Sequence, residues 1–372
     1  MLTGFLPLAL TGGPRLQLAS PAATSRLTAL DATRIFATLG VIWFHTIECD
    51  SLHPSGVLGR YSVSFYTLAA ILFLVLSSFR RQRLFTTYAI DRLRRLGLPF
   101  VAWSILSFLT IYSLNNLGYH IDLPELSPNL LLDGGTLHLW YLPFLLIASL
   151  LVYPLARWMH NNRKRQYALA LAAAVVALAL DLNLLDWIPV PSFSLLKRFL
   201  DLSSYRWSAV YWGIAVAVLW HNNLIPSRFL KPLALLGAIA LVALTIYQWN
   251  FGLVSQLKTY GGLGLLFIAL APWQTRFVHL LAPIGRLSAG IYFAHMPALY
   301  IVRYLLSLTP NPPTDAARDY ATFAIATPAS ILFIYALAQV PALRWLAGID
   351  SPRQTQPQPF AVPQAESIAR AA

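Results

Sequence analysis

The stretch Leu30–Glu48, LDATRIFATLGVIWFHTIE, constrains this chain more than any other. It is mostly apolar, and its length is close to the roughly 20 residues that a helix needs to cross a bilayer. It nevertheless carries Arg34 and His45. Ionisable groups inside such a run are unfavourable in lipid, face the protein interior or a water-filled cavity, and mark function. The two are 11 positions apart. At about 100° per residue this is three turns plus about 20°, so both side chains lie on one helix face. At about 1.5 Å per residue they stand roughly 16 Å apart along the axis. One face therefore presents a cation near one membrane surface and an imidazole most of the way to the other.

The rest of the chain agrees with a membrane setting. Of 372 residues, 57% are hydrophobic and only 11% are charged, and the mean hydropathy is +0.60. A soluble domain carries about 25% charged residues. Ten segments read as spans: Leu30–Glu48, Tyr61–Phe79, Gly97–Leu114, Leu137–Leu155, Tyr167–Leu185, Trp207–Trp220, Phe229–Tyr247, Leu257–Trp273, Leu287–Leu306 and Ala321–Leu343. Turn-rich links such as TPNPPTD and DWIPVPS separate them. The expected fold is thus all-α, a polytopic membrane protein of about ten transmembrane helices with both termini cytoplasmic. Residues 1–29 are expected to be a cytoplasmic tail and not a signal peptide, because MLTGFLPLALTGG lacks a basic start and a cleavage pattern. Residues 30–343 form the membrane domain. Residues 344–372 form a second cytoplasmic tail, whose Pro/Gln-rich composition points to disorder.

Charge supports this orientation. With the N-terminus inside, 20 of the 27 Lys and Arg fall in cytoplasmic segments and 7 outside, a strong positive-inside bias. The net charge of +13 could suggest nucleic acid, but these cations sit in short juxtamembrane loops, so no nucleic-acid partner is expected. The single cysteine, Cys49, allows no intrachain disulfide. Lying just after His45, it reads as a small interfacial packing residue. His53, His120, His160, His221 and His279 lie in or near loops. No histidine pair shows ligand spacing within a helix, and no metal is expected.

One loop exceeds what topology requires. Arg80–Arg95, RRQRLFTTYAIDRLRR, holds six arginines and no lysine. The planar guanidinium fork suits phosphate. Arg92 and Arg95, three apart, would share a helix face. Contact with lipid phosphates accounts for the loop as well as a phosphate-bearing cytosolic ligand does.

Four motifs in order resemble the membrane-bound acyltransferase-3 family, and they extend over most of the chain. Arg34 and His45 match its Arg-x10-His pattern in the first helix. Arg92-Leu93-Arg94-Arg95 matches its Arg-x-x-Arg motif. His138-Leu139-Trp140-Tyr141-Leu142 resembles its HLWFL stretch. Gly285-Arg286-Leu287-Ser288, with Ile291-Tyr292 and His295, resembles its late G-x-x-S…iY…H stretch. One departure stands in the second helix, which reads FLVLSSF with Ser78 where the family usually has glycine.

The resemblance implies acyl transfer onto extracytoplasmic sugars. His45 would be the general base, since an imidazole titrates near operating pH. Glu48 has two readings, a partner that fixes the His45 tautomer or a solvated interfacial carboxylate. Arg92 and Arg95 would hold the phosphates of acetyl-CoA, the expected acyl donor, with Arg34 also on the donor side. His138, Trp140, Ser288, Tyr292 and His295 would line the substrate or support His45. Belt packing accounts equally for Trp140, and interhelical hydrogen bonding for Ser288, Tyr292 and His295. No G-x-S-x-G elbow is present to make Ser288 a nucleophile. The expected acceptor is a glycan or lipid-linked oligosaccharide, such as a repeat unit of xanthan or an O-antigen. The expected setting is the inner membrane, with the lipid bilayer and polysaccharide biosynthesis machinery as partners. A transporter or flippase of a lipid-linked sugar would also show many helices with intramembrane charge, although no repeat relates the two halves. A non-catalytic relative is disfavoured by the retained Arg34, His45, Arg92 and Arg95.

Overall fold

The computed structural model describes residues 21–48, 55–124, 127–184, 194–203, 206–251, 257–273 and 275–349. Cys49, His53, the Pro/Gln-rich end and most of the expected N-terminal tail lie outside the described residues. All regular structure among those described is helical.

Each of the ten expected spans falls on a helix. These are α1 (Pro21–Thr46), α2 (Val57–Arg80), α4 (Leu98–Asn116), α6 (Tyr141–Met159), α7 (Arg163–Asp181), α9 (Trp207–His221), α10 (Leu230–Phe251), α11 (Leu257–Leu270), α13 (Ser288–Ser307) and α14 (Asp315–Gln339). Shorter helices join them: α3 (Phe85–Arg92), α5 (Leu130–Asp133), α8 (Ser194–Ser203) and α12 (Arg276–Gly285). A π turn at Leu93–Gly97 fuses α3 to α4, and a 3₁₀ turn at Leu137–Trp140 opens α6. Among the described residues, five helical stretches are long and apolar enough to cross a membrane, or six if the pair α12 and α13, bent by 65°, counts as one.

Which faces are apolar explains the assembly. One core joins α1, α2, α6, α9, α11 and α13 through buried residues such as Ile42, Phe65, Phe144, Ile214, Leu266 and Ile291. The outer helices turn large apolar side chains outward instead: Ile105 and Leu109 on α4, Ile239 and Val242 on α10, Leu332 and Phe333 on α14. An apolar exterior around a core that buries polar groups suits a lipid solvent. The protein is a membrane protein.

Two glycines let backbones meet. A Cβ on Gly59 would lie 2.4 Å from the Gly40 carbonyl oxygen, so α2 packs directly on α1. A Cβ on Gly285 would lie 1.7 Å from the Asp31 carbonyl oxygen, so the end of α12 rests on the first half of α1. Small residues permit such close crossings. Helix α1 begins at Pro21 rather than at Leu30, and proline is well tolerated in a first helical turn. The packed chain also runs past Leu343. Trp103 Nε1 donates to the Leu346 carbonyl at 3.0 Å, and Ala347 is buried.

Candidate active site

Helix α1 carries two separate polar clusters. At the Arg34 end, Arg34 Nη1 pairs with Asp31 Oδ1 at 3.0 Å, and Arg286 Nε lies 3.6 Å from Asp31 Oδ2. Arg286 reaches Asp31 because the bend between α12 and α13 falls beside it, where Gly285 abuts the α1 backbone. The Tyr66 hydroxyl donates to the Arg34 carbonyl at 2.8 Å and meets Thr38 Oγ1 at 2.7 Å. Ser288, buried at the start of α13, lies within reach of the same hydroxyl.

At the other end, three imidazoles from three elements converge. The His45 ring centroid lies 5.3 Å from that of His295 and 6.2 Å from that of His138, and His138 and His295 are 4.7 Å apart. His295 Nδ1 lies 2.6 Å from the Tyr292 carbonyl oxygen. A carbonyl only accepts, so Nδ1 carries the proton and the neutral ring keeps its lone pair on Nε2. His138 Nδ1 sits 2.8 Å from Thr136 Oγ1. Tyr292 donates its hydroxyl to the His138 carbonyl, which ties α13 to the start of α6. The Nε2 atoms of His138 and His295 are buried without a hydrogen-bond partner among the described residues. Buried polar atoms are normally paired, so two such nitrogens beside a third imidazole mark a place for a polar ligand. Chemically, the cluster can accept, hold and move a proton.

The end of α1 is fixed from two sides. Arg303, buried on α13, donates through Nη2 to the carbonyls of Thr46 at 2.8 Å and His45 at 3.3 Å. The Glu48 backbone amide donates to Asp319 Oδ2 on α14 at 2.9 Å. The Glu48 carboxylate pairs with Arg303 at 2.9 Å and Arg318 at 3.0 Å. The structure therefore places Glu48 among arginines that hold the helix end. Trp43 adds an aromatic clamp, stacking on Tyr320 with ring centroids 5.3 Å apart.

The remaining expected residues divide. Trp140 packs against Tyr141 and Phe144, with the Arg206 guanidinium 4.2 Å from its ring centroid. Arg92 and Arg95 belong to a different region. Arg92 Nε donates to the Tyr88 hydroxyl at 2.9 Å, and Tyr88 stacks on Tyr153 at 3.8 Å. Arg94 and Arg95 are exposed on the π turn, which departs from α-helical register just after Arg92. Ser78 is buried and donates to the Leu74 carbonyl at 2.9 Å. Sequence reasoning missed Asp31 and Arg303. Both had a signal: an acid three residues before Arg34, and a lone arginine inside an apolar span. A cavity of about 470 Å³ opens at the far end of α6 and α9, lined by His160, Arg163 and His221, away from the three imidazoles.

The fold and this site define a helical membrane protein with an imidazole centre and a separate arginine-rich loop. A family model described as an acyltransferase domain matches residues 27–339. The chain belongs to the acyltransferase-3 family, and it is an acyltransferase. No curated protein and no solved structure matches the chain.

Proposed function

We propose that the protein moves an acetyl group from acetyl-CoA to a hydroxyl of an exported or lipid-linked glycan, with His45 as general base. The observation that carries this reading is that His138 and His295, from two other elements, meet His45 of the helix that also bears Arg34. The positive-inside bias supports a cytoplasmic position for both termini and the arginine loop, in an inner-membrane protein of about ten helices. That orientation places His45 towards the outer face, where a glycan arrives.

Acetyl-CoA supplies a thioester carbonyl. Arg92 and Arg95 offer guanidinium groups to its phosphates, and Arg34, at the other end of α1 from His45, would serve on the donor side. His45 takes the proton from the sugar hydroxyl as its oxygen attacks the carbonyl. The C–O bond forms, the C–S bond breaks, and the thiolate leaves to be protonated as CoA. His295 and His138 support the base: each is buried, and the proton on His295 Nδ1 leaves its Nε2 free to accept. Glu48 serves by holding the end of α1 through Arg303.

Purified full-length protein in nanodiscs tests the reading. With radiolabelled acetyl-CoA it should release CoA thiol and label either a co-purified glycan or water-derived acetate. Complete absence of acetyl-CoA consumption, by protein shown to be folded, would remove acetyl-CoA as the donor.

A further inference from the structure

The cavity of about 470 Å³ at the far ends of α2, α6 and α9 is left unused by the acyl-transfer reading. A volume of this size is ordinary for a small-molecule site. Its buried wall includes Phe79 of α2 and Gln166 of α7. The Gln166 amide is fixed at both atoms: Nε2 donates to the Met159 carbonyl at 3.3 Å, and Oε1 accepts from Asn222 Nδ2 at 2.9 Å. The chain leaving α6 and the chain leaving α9 are thereby held to α7. Asn161 and Asn223, both at φ 57°, make the turns, in a left-handed conformation that asparagine adopts more readily than most residues.

These turns bring three basic side chains to one opening. His160 follows Met159, Arg163 opens α7, and His221 ends α9 with its ring 4.5 Å from that of Phe79. No carboxylate lines the cavity among the described residues. His160 Nδ1 is buried without a hydrogen-bond partner among those residues, and buried polar atoms are normally paired. The cavity is remote from acyl transfer. His160 stands 22 positions after His138, roughly 33 Å along α6 at about 1.5 Å per residue. It is also apart from Arg92, whose partner Tyr88 stacks on Tyr153, roughly 10 Å back along the same helix.

We infer that this cavity is a seat for a phosphate group, bound by Arg163, His160 and His221 and separate from the donor site. A phosphate group presents several strong acceptor oxygens with negative charge, which a guanidinium and two imidazoles can meet with charge-assisted hydrogen bonds. Two sources supply that chemistry. One is a phosphorylated small molecule of the cytosol. The other is the head group of an anionic lipid, since basic pockets between helices on the cytoplasmic side bind such groups. The cytoplasmic placement rests on the orientation proposed above; the seat itself rests on the cavity.

The test is a thermal melt of full-length protein in phosphatidylcholine nanodiscs, because a ligand that binds only the folded state raises the midpoint. Inorganic phosphate and ADP are titrated into the solution, and phosphatidylglycerol is built into a second set of discs. At least one of the three should raise the midpoint of the wild type. A shift with phosphate or ADP assigns a soluble ligand; a shift with phosphatidylglycerol alone assigns a lipid head group. Arg163 is exposed, so R163Q should melt like wild type without ligand. It should need about tenfold more ligand for the same shift, as expected for a lost charge-assisted contact. H160Q should weaken the response in the same direction, R163K should keep most of it, and R92Q should leave it unchanged. No shift with any probe, a shift that survives both R163Q and H160Q, or a shift lost in R92Q overturns the seat. The melt does not read acetyl-CoA consumption, so failure of the acyl-transfer reading leaves the seat standing, and absence of the shift leaves acyl transfer standing.

Discussion

Arg303 on α13 closes the end of the helix that carries His45. Its Nη2 lies 2.8 Å from the Thr46 carbonyl oxygen, and its Nη1 lies 2.9 Å from Glu48 Oε1. The last carbonyls of a helix have no partner within it, and a cation there satisfies them and complements the helix dipole. The position of the imidazole thus depends on a residue that does not touch it. Arg303→Ala should lower kcat by up to about 100-fold, because small misplacements of a reacting group have effects of that order. Arg303→Lys should recover part of the loss. A kcat unchanged in Arg303→Ala would show that His45 does not need this anchor.

His295 offers a cleaner separation of structure from chemistry. Asparagine can still donate to the Tyr292 carbonyl, as His295 Nδ1 does at 2.6 Å, but it has no ring nitrogen at the Nε2 position. His295→Asn should keep near-normal thermal stability and lose about 10²-fold in turnover, the lower range for a group in proton transfer. Steady-state kinetics paired with a thermal melt reads both effects; equal turnover at equal stability would confine His295 to packing.

The Tyr292 hydroxyl joins α13 to α6 through the His138 carbonyl. Tyr292→Phe removes that one bond and leaves the ring. The stability loss should be about 1 kcal/mol, with a modest fall in turnover as His138 loosens. A fall as large as that of His45→Ala would instead make the hydroxyl a reacting group.

Arg92 is held by Tyr88 at 2.9 Å and projects from the loop assigned to the donor. Arg92→Ala should raise KM for acetyl-CoA about tenfold, as loss of a charge-assisted contact does, with kcat less affected. Arg92→Lys should rescue poorly, since lysine lacks the planar fork. An unchanged KM would assign the arginine loop to lipid phosphates alone.

Gly59→Ala tests the packing of α1 on α2. Its new Cβ would meet the Gly40 carbonyl at 2.4 Å, and overpacking of this kind costs about 1–3 kcal/mol. A lowered melting midpoint in nanodiscs is expected, with activity falling as His45 shifts.

Much of this architecture was legible because apolar length and intramembrane charge register directly in sequence. All ten expected segments fall on helices, and Arg34 and His45 sit in two separate polar clusters on one helix, α1. The three-imidazole cluster was only half legible: motifs flagged His45, His138 and His295 separately, but their meeting depends on how α1, α6 and α13 pack. Glu48 illustrates a limit of spacing arguments. Three residues after His45 it would lie over the imidazole if the helix continued, but α1 ends at Thr46 and Glu48 turns to Arg303 and Arg318. The π turn after Arg92 changes the register of Arg95 in the same way. Ser288, Tyr292 and His295 share a helix face as their spacing implies, yet Ser288 belongs to the Arg34 end.

The most direct measurement of the central claim is glycan acetylation in cells carrying His45→Ala beside wild type, with protein abundance checked by immunoblot. Loss of acetyl groups from a surface glycan at normal protein level is the expected result. Unchanged acetylation at that level would contradict the account, because the helix, its arginine and the surrounding imidazoles would then be organised around a residue the reaction does not need.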